Sequence, residues 1–280
     1  MNPAKPNILT VLQARQAVLD KERQAKDELA AARVKLEERD YKGALRAFKK
    51  YFKMDGDQCF SVIAKDVATL VKNYQPARLI VQRYRNDKEK LILQGQADSK
   101  LVGQLVLLNL GLGERSRTEA FYRELKQANF DTEISELFLR HVWRQLLRRR
   151  RYEDLRPYFH SLGFFLLLHI TELDCHIWFP DLRTYSKTEI RNWRERCLKS
   201  IIEEGPLTYE LALGLGEMQT ANLFAQRILG VEASDRVYAA LIKAALRARA
   251  ADPAKELYKE ARSTLGSRRI RQTNKAFRLS

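Results

Sequence analysis

Arg140, Arg144, Arg148 and Arg151 recur at intervals of four, four and three, in a stretch whose apolar residues Ile134, Leu137, Phe138, Val142 and Leu146 keep helical spacing. On a helix that spacing puts the four guanidinium groups in one stripe, and Arg149, Arg150 and Arg156 crowd its end. A guanidinium is a planar fork of donors that matches two phosphate oxygens at once, and Trp143 and Tyr152 offer faces on which bases stack. The chemistry expected is contact with a phosphate backbone. The alternative is a solvated face whose last arginines answer the helix dipole.

Two further basic sets have the same character. Arg83 and Arg85 flank Tyr84, with Arg78, Lys88 and Lys90 nearby, the interleaving that suits a single strand. At the other end, Arg262, Arg268, Arg269, Arg271, Lys275 and Arg278 face no acid after Glu260. A short extension of this kind orders on a polyanion or stays a solubilising end. The nucleic-acid contacts predicted are therefore Arg83, Arg85, Arg140, Arg144, Arg148, Arg149, Arg150, Arg151, Arg268, Arg269, Arg271 and Lys275.

The whole-chain balance supports this. The formal charge is +16, and Lys and Arg against Asp and Glu number 13 to 6 in both 41–100 and 211–280, +7 in each. Such a surplus favours polyanions: nucleic acid first, RNA or another, then anionic membrane surfaces or acidic proteins. Catalytic constellations are lacking, so no enzyme is expected. The nearest approach to a metal set, His160, His169, Cys175 and His176, has neither CxxC nor HxxxH spacing, and no metal or other cofactor is expected. Leu110-Gly-Leu-Gly-Glu114 lacks the spacing of a phosphate-binding glycine loop and follows a helical pattern, not a strand.

Composition bounds the class. With 45% hydrophobic and 31% charged residues the chain is neither disordered nor membrane-like, and with 12 glycines and 7 prolines it favours helices on short connections. With three widely spaced cysteines, no disulfide framework is expected. The most apolar run, 163–170, is too short to span a bilayer, so no membrane insertion is expected. Residues 1–19 hold Lys5 and Arg15 and no acid, but no serine either. The cytoplasm is the compartment expected, an organelle the alternative.

The elements that must position these residues read as helix pairs. Asn7 to Glu38 is one long charged helix, an exposed arm or coiled-coil strand. Further helices are predicted at Tyr41–Met54, Gln58–Lys72, Pro76–Arg85, Asp87–Gln96, Ser99–Leu112 and Ser116–Asn129. The Arg140 helix follows, with its return at Tyr152–Ser161. An irregular aromatic insert is placed near 162–185, followed by a helix opened at Ser186 and by Pro206–Leu213, Glu217–Leu229, Ser234–Arg249 and Asp252–Leu265. Ser116-Arg-Thr-Glu119 and Ser186-Lys-Thr-Glu189 have the form of capping boxes.

Leu-Gly-Leu-Gly-Glu occurs twice, at 110–114 and 213–217, 103 positions apart, or about three lengths of a helix-hairpin repeat. A register through Ala44, Ala77, Ala120, Leu155, Thr188, Ala221 and Ala254 places a mostly small residue where the helices of each pair meet. The fold class expected is all-α: a right-handed α-solenoid of about six to seven hairpins. Its parts are a long helix (1–39), a repeat domain (40–265) and a basic tail (266–280).

Glu37-Glu-Arg-Asp-Tyr-Lys-Gly-Ala-Leu-Arg-Ala-Phe48 resembles the second half of a tetratricopeptide repeat, with Ala44 as the small residue and Phe48 as the aromatic four later; Asp55-Gly56 stands in place of the usual terminal proline. Val237-Tyr-Ala-Ala-Leu-Ile242 and Ala254-Lys-Glu-Leu-Tyr258 look more like a pentatricopeptide repeat. The first resemblance implies protein partners, held in a concave groove or along the N-terminal helix. The second implies single-stranded RNA.

Overall fold

The computed structural model describes residues 8–53, 60–128, 132–174, 186–267 and 269–278, and all regular structure among them is helical. The helices are α1 (Ile8–Glu37), α2 (Tyr41–Lys53), α3 (Phe60–Asn73), α4 (Gln75–Leu93), α5 (Ser99–Gly111), α6 (Arg115–Gln127), α7 (Thr132–Arg148), α8 (Tyr152–Asp174), α9 (Lys187–Gly214), α10 (Met218–Val231), α11 (Asp235–Arg247), α12 (Ala251–Leu265) and α13 (Arg271–Arg278). The chain divides into two compact units, Met1–His141 and Val142–Ser280, the boundary falling inside α7. None of the described helices is long and apolar enough to cross a membrane.

In the first unit α1 packs along α2, with Ala25, Leu29 and Ala32 buried with Ala44, Phe48 and Tyr51 in one core. The spacing of four and three gives α1 one apolar stripe. The long helix is thus part of the unit over its C-terminal half and exposed from Arg15 to Lys21. Ile63, Val67 and Leu70 of α3, Ala77 and Val81 of α4, and Leu107 and Leu108 of α5 extend the core. The helices expected at 76–85 and 87–96 are one, α4, because Asn86 and Asp87 lie on its exposed side and cost little helix stability there. Ser116 opens no capping box: α6 starts at Arg115 with Glu114 as its cap residue, and Glu119 is buried inside the helix.

The second unit departs from short hairpins. α8 runs unbroken through Pro157 and Gly163, and α9 through Pro206, so the insert placed at 162–185 is helix as far as Asp174. The part from 175 to 185 lies outside the described residues. Proline removes one backbone donor, but packing holds the helix: a Cβ on Gly205 would stand 2.8 Å from Ile228 Cδ1 on α10. The Ser186–Glu189 capping box forms as expected, with Glu189 N–H donating to Ser186 Oγ at 3.2 Å and Ser186 N–H to Glu189 Oε2 at 2.8 Å.

Both copies of Leu-Gly-Leu-Gly-Glu make one turn. Gly113 (φ 76°) and Gly216 (φ 78°) take the left-handed conformation that ends α5 and α9. Gly113 N–H bonds Leu110 O at 3.0 Å and Glu114 N–H bonds Asn109 O at 2.8 Å; Gly216 to Leu213 (3.1 Å) and Glu217 to Ala212 (2.9 Å) repeat the pattern. This pair of bonds is the Schellman closure. Arg150 and Arg249 make the same closure with φ 57° and 62°. Five residues beyond each of these four positions lies a buried one, Thr118, Leu155, Ala221 and Ala254, with Ala44 five beyond Arg39 (φ 60°); Gly95 (φ 80°) is followed instead by the half-buried Lys100. The register thus passes through Thr118 rather than Ala120, and Thr188 is exposed.

Candidate nucleic-acid interface

The α7–α8 turn is where the arginine run ends. Arg140, Arg144, Arg148, Arg149, Arg150 and Arg151 are all exposed, but they are not equally available. Arg144 pairs with Glu204 on α9 and lies over the Trp143 ring, 5.1 Å from its centroid. Arg151 pairs with Asp154, and Arg156 with Glu153 at 2.9 Å. Arg140, Arg148 and Arg150 make no ion pair among the described residues. Trp143 is buried, so it cannot offer a face to a base.

Tyr152 is also committed. Its hydroxyl donates toward Glu210 Oε1 (3.4 Å) and lies 3.3 Å from the Arg247 carbonyl. Glu210, 1% exposed, accepts from Arg247 Nε at 2.7 Å. Burial lifts the Glu210 carboxyl above the ordinary range against the pull of Arg247, Tyr152 and Arg150. Burial and the Glu210 charge push the Tyr152 phenol up to about 12. This buried set joins the α7–α8 turn to the end of α11, so Arg247 and Arg249 belong to the same edge as Arg148 and Arg150. Sequence reasoning missed both. The available signal was that Arg249 occupies the place of the glycine in the repeated turn.

The C-terminal set is built differently from a loose tail. Residues 271–278 form α13, docked on α11 and α12. The Asp235 carboxylate accepts from Gln272 N–H and Thr273 N–H, both at 2.8 Å, and from the Thr273 hydroxyl at 2.7 Å. Phe277 stacks on Tyr258 at 4.4 Å, and Ile270, Thr273 and Ala276 are buried. Arg271, Lys275 and Arg278, at i, i+4 and i+7, are left on one exposed face, and Arg269 is exposed beside them. Arg268 lies outside the described residues. The two basic sets are not brought together: the turn touches the C-terminal end of α11 and α13 its N-terminal end, about 20 Å apart along a helix of that length.

In the first unit Arg85 is a structural residue, its side chain 12% exposed and paired with Glu114 Oε2 at 2.8 Å. Arg78 reaches the other oxygen of Glu114 at 3.3 Å, and Asn109, fully buried, donates to Thr118 at 3.0 Å. Arg83 is exposed. The acid of the repeated turn consumes the basic residue expected to meet phosphate. No group of three His, Cys, Asp or Glu side chains that could hold a metal occurs among the described residues. Cys175 and His176 lie outside them. Compared with known proteins, the chain matches no family model, no curated protein and no solved structure.

Proposed function

We propose that the protein is a non-enzymatic α-solenoid, akin to tetratricopeptide and pentatricopeptide arrays, that binds RNA or sits on RNA within a larger assembly. The observation that carries this reading is the set of cations left over after ion pairing. Arg148 and Arg150 at one turn, and Arg269, Arg271, Lys275 and Arg278 at α13, are exposed and make no ion pair among the described residues. In a chain of charge +16, surplus cations gathered at two places are an electrostatic footprint for a phosphate backbone. Neutralising a phosphate releases condensed counterions, so affinity for a single strand falls with salt by a log–log slope of about 0.7 per contact. Measured affinity for single-stranded RNA is expected to drop steeply between 50 and 200 mM salt, a range over which ~6 contacts at that slope lose about 300-fold. An affinity indifferent to salt would sink the reading.

A protein partner is the alternative, favoured by one observation. Val18 (55% exposed) and Leu19 (47%) lie on the part of α1 that is exposed. A pull-down that survives nuclease and is lost on Val18→Asp would favour a scaffold.

A further inference from the structure

α11 packs on α9, α12 and α13, and these neighbours bury Tyr238, Leu241, Ile242 and Ala245. The residues of α11 left exposed are Arg236, Lys243 and Arg247, with the half-buried Ala240 between the first two. Their spacing is i, i+4, i+7 and i+11, so they form one straight stripe from end to end of the helix. The stripe carries no acid. Asp235, at its start, is turned to α13 and accepts from Gln272 N–H and Thr273 N–H. Glu210, at its far end, is buried and paired with Arg247 at 2.6 Å. Arg236 and Lys243 make no ion pair among the described residues.

This stripe spans the gap between the two basic sets. Its C-terminal end meets the α7–α8 turn through Tyr152 and the Arg247 carbonyl, where Arg148, Arg150 and Arg249 are exposed. Its N-terminal end meets α13. From Asp235, α13 rises to Tyr258, the middle residue of α12, which donates to Asn274 at 2.8 Å and stacks on Phe277. α12 runs back along α11, so α13 lies beside the first half of the stripe, with Arg271, Lys275 and Arg278 on its own exposed face.

We propose that the exposed stripe of α11 is a track for single-stranded RNA, which lies lengthwise along the helix from Arg150 and Arg249 at one end to Arg271 at the other. This rests on the RNA reading above and adds to it a path, a length and two contacts, Arg236 and Lys243. A row of cations one side chain wide meets the phosphates of one strand, and with no carboxylate on the stripe the strand meets no like charge there. Ala240, small and uncharged, leaves the sugar-phosphate backbone room to approach between Arg236 and Lys243. At ~3.4 Å per nucleotide of a stacked strand, about 20 Å of helix spans about six nucleotides.

Fluorescence anisotropy of labelled oligouridylates of three, six and twelve nucleotides, titrated with the full chain, tests it. Affinity is expected to rise about tenfold or more from three to six nucleotides and less than about threefold from six to twelve. Arg236→Gln with Lys243→Gln should weaken the six-nucleotide strand about tenfold or more at about 0.1 M salt, and flatten its salt slope by about 1.4, two contacts at about 0.7 each. Lys255→Gln with Lys259→Gln removes the same charge from the exposed face of α12 and should change the affinity less than about threefold. Arg236→Lys with Lys243→Arg keeps the charge and should keep the binding. All three double variants change exposed side chains and should melt with the wild type. Equal weakening by the α11 and α12 charge removals, or three nucleotides held as tightly as six, overturns the track and leaves the RNA reading standing. If no strand binds the wild type even at low salt, both fall.

Discussion

The ring of Tyr152 lies so close over Gly214 that a β-carbon there would stand 2.4 Å from the ring atoms Cγ and Cδ2. Gly111, the same letter of the other Leu-Gly-Leu-Gly-Glu, is crowded in the same way by Val67 Cγ1 at 2.5 Å. The first glycine of the motif therefore lets another helix approach, and the second turns the chain. Gly214→Ala is expected to cost about 1–3 kcal/mol through overpacking. Gly216→Ala, with open space around it but φ 78°, should cost about 1 kcal/mol through backbone strain. Urea midpoints at constant slope measure both. A neutral Gly214→Ala would mean that the Tyr152 contact does not hold α8 to α9.

Arg85 and Arg148 separate structure from binding. Arg85→Ala leaves Glu114 with only the longer contacts of Arg78 and Gln82, and is expected to cost about 2 kcal/mol. RNA affinity, corrected for the folded fraction, should be unchanged. Arg148→Gln with Arg150→Gln should leave stability within about 0.5 kcal/mol. Each lost phosphate contact should flatten the salt slope by about 0.7. Equal effects of the two changes on RNA would contradict this assignment of roles.

The helical class and most helix ends were legible because apolar periodicity and cap residues are local. Ile8–Glu37 and the Ser186 box required no knowledge of neighbours. The merged helices were not legible: Gly163 and Pro206 signal breaks, and only the contact of Gly205 with Ile228 shows why α9 continues. The basic residues were legible as charges but not as partners. Arg85, Arg144 and Arg151 read the same in sequence as Arg148, and what distinguishes them is a carboxylate brought from 3 to 60 positions away. The Asp235 cap on α13 spans 37 residues, and nothing near Arg271 announces it.

Asp235 ties α13 to the fold, and its ionisation sets a pH window. Burial raises its pKa, but the Thr273 hydroxyl and the N–H groups of Gln272 and Thr273 outweigh that and leave it below the ordinary 3.8. A carboxyl depressed in the folded state contributes stability that is complete above the unfolded value and lost as pH falls through the folded one. Docking of α13 should therefore be intact at neutral pH and weaken below about pH 4. Asp235→Ala, the loss of an N-terminal cap, should cost about 1 kcal/mol. It should also raise hydrogen exchange over 271–278 at pH 7, where the wild type is expected to be protected. Unchanged exchange would show that Phe277 and Tyr258 suffice to hold the helix.

Arg150 gives the sharpest trade between stability and binding. Its φ of 57° is a conformation that glycine adopts freely, and glycine occupies the equivalent place at Gly113 and Gly216. Arginine there carries a left-handed strain of about 1 kcal/mol that the fold does not require. Arg249, at φ 62° and on the same edge through the contact of Tyr152 with the Arg247 carbonyl, carries it too. Arg150→Gly and Arg249→Gly should each be neutral to stabilising, by up to about 1 kcal/mol offset in part by the greater freedom of glycine in the unfolded chain. The double variant should melt no lower than wild type and bind single-stranded RNA several-fold more weakly at physiological salt. If it instead loses stability and keeps its affinity, the arginines serve the helix ends and not a ligand.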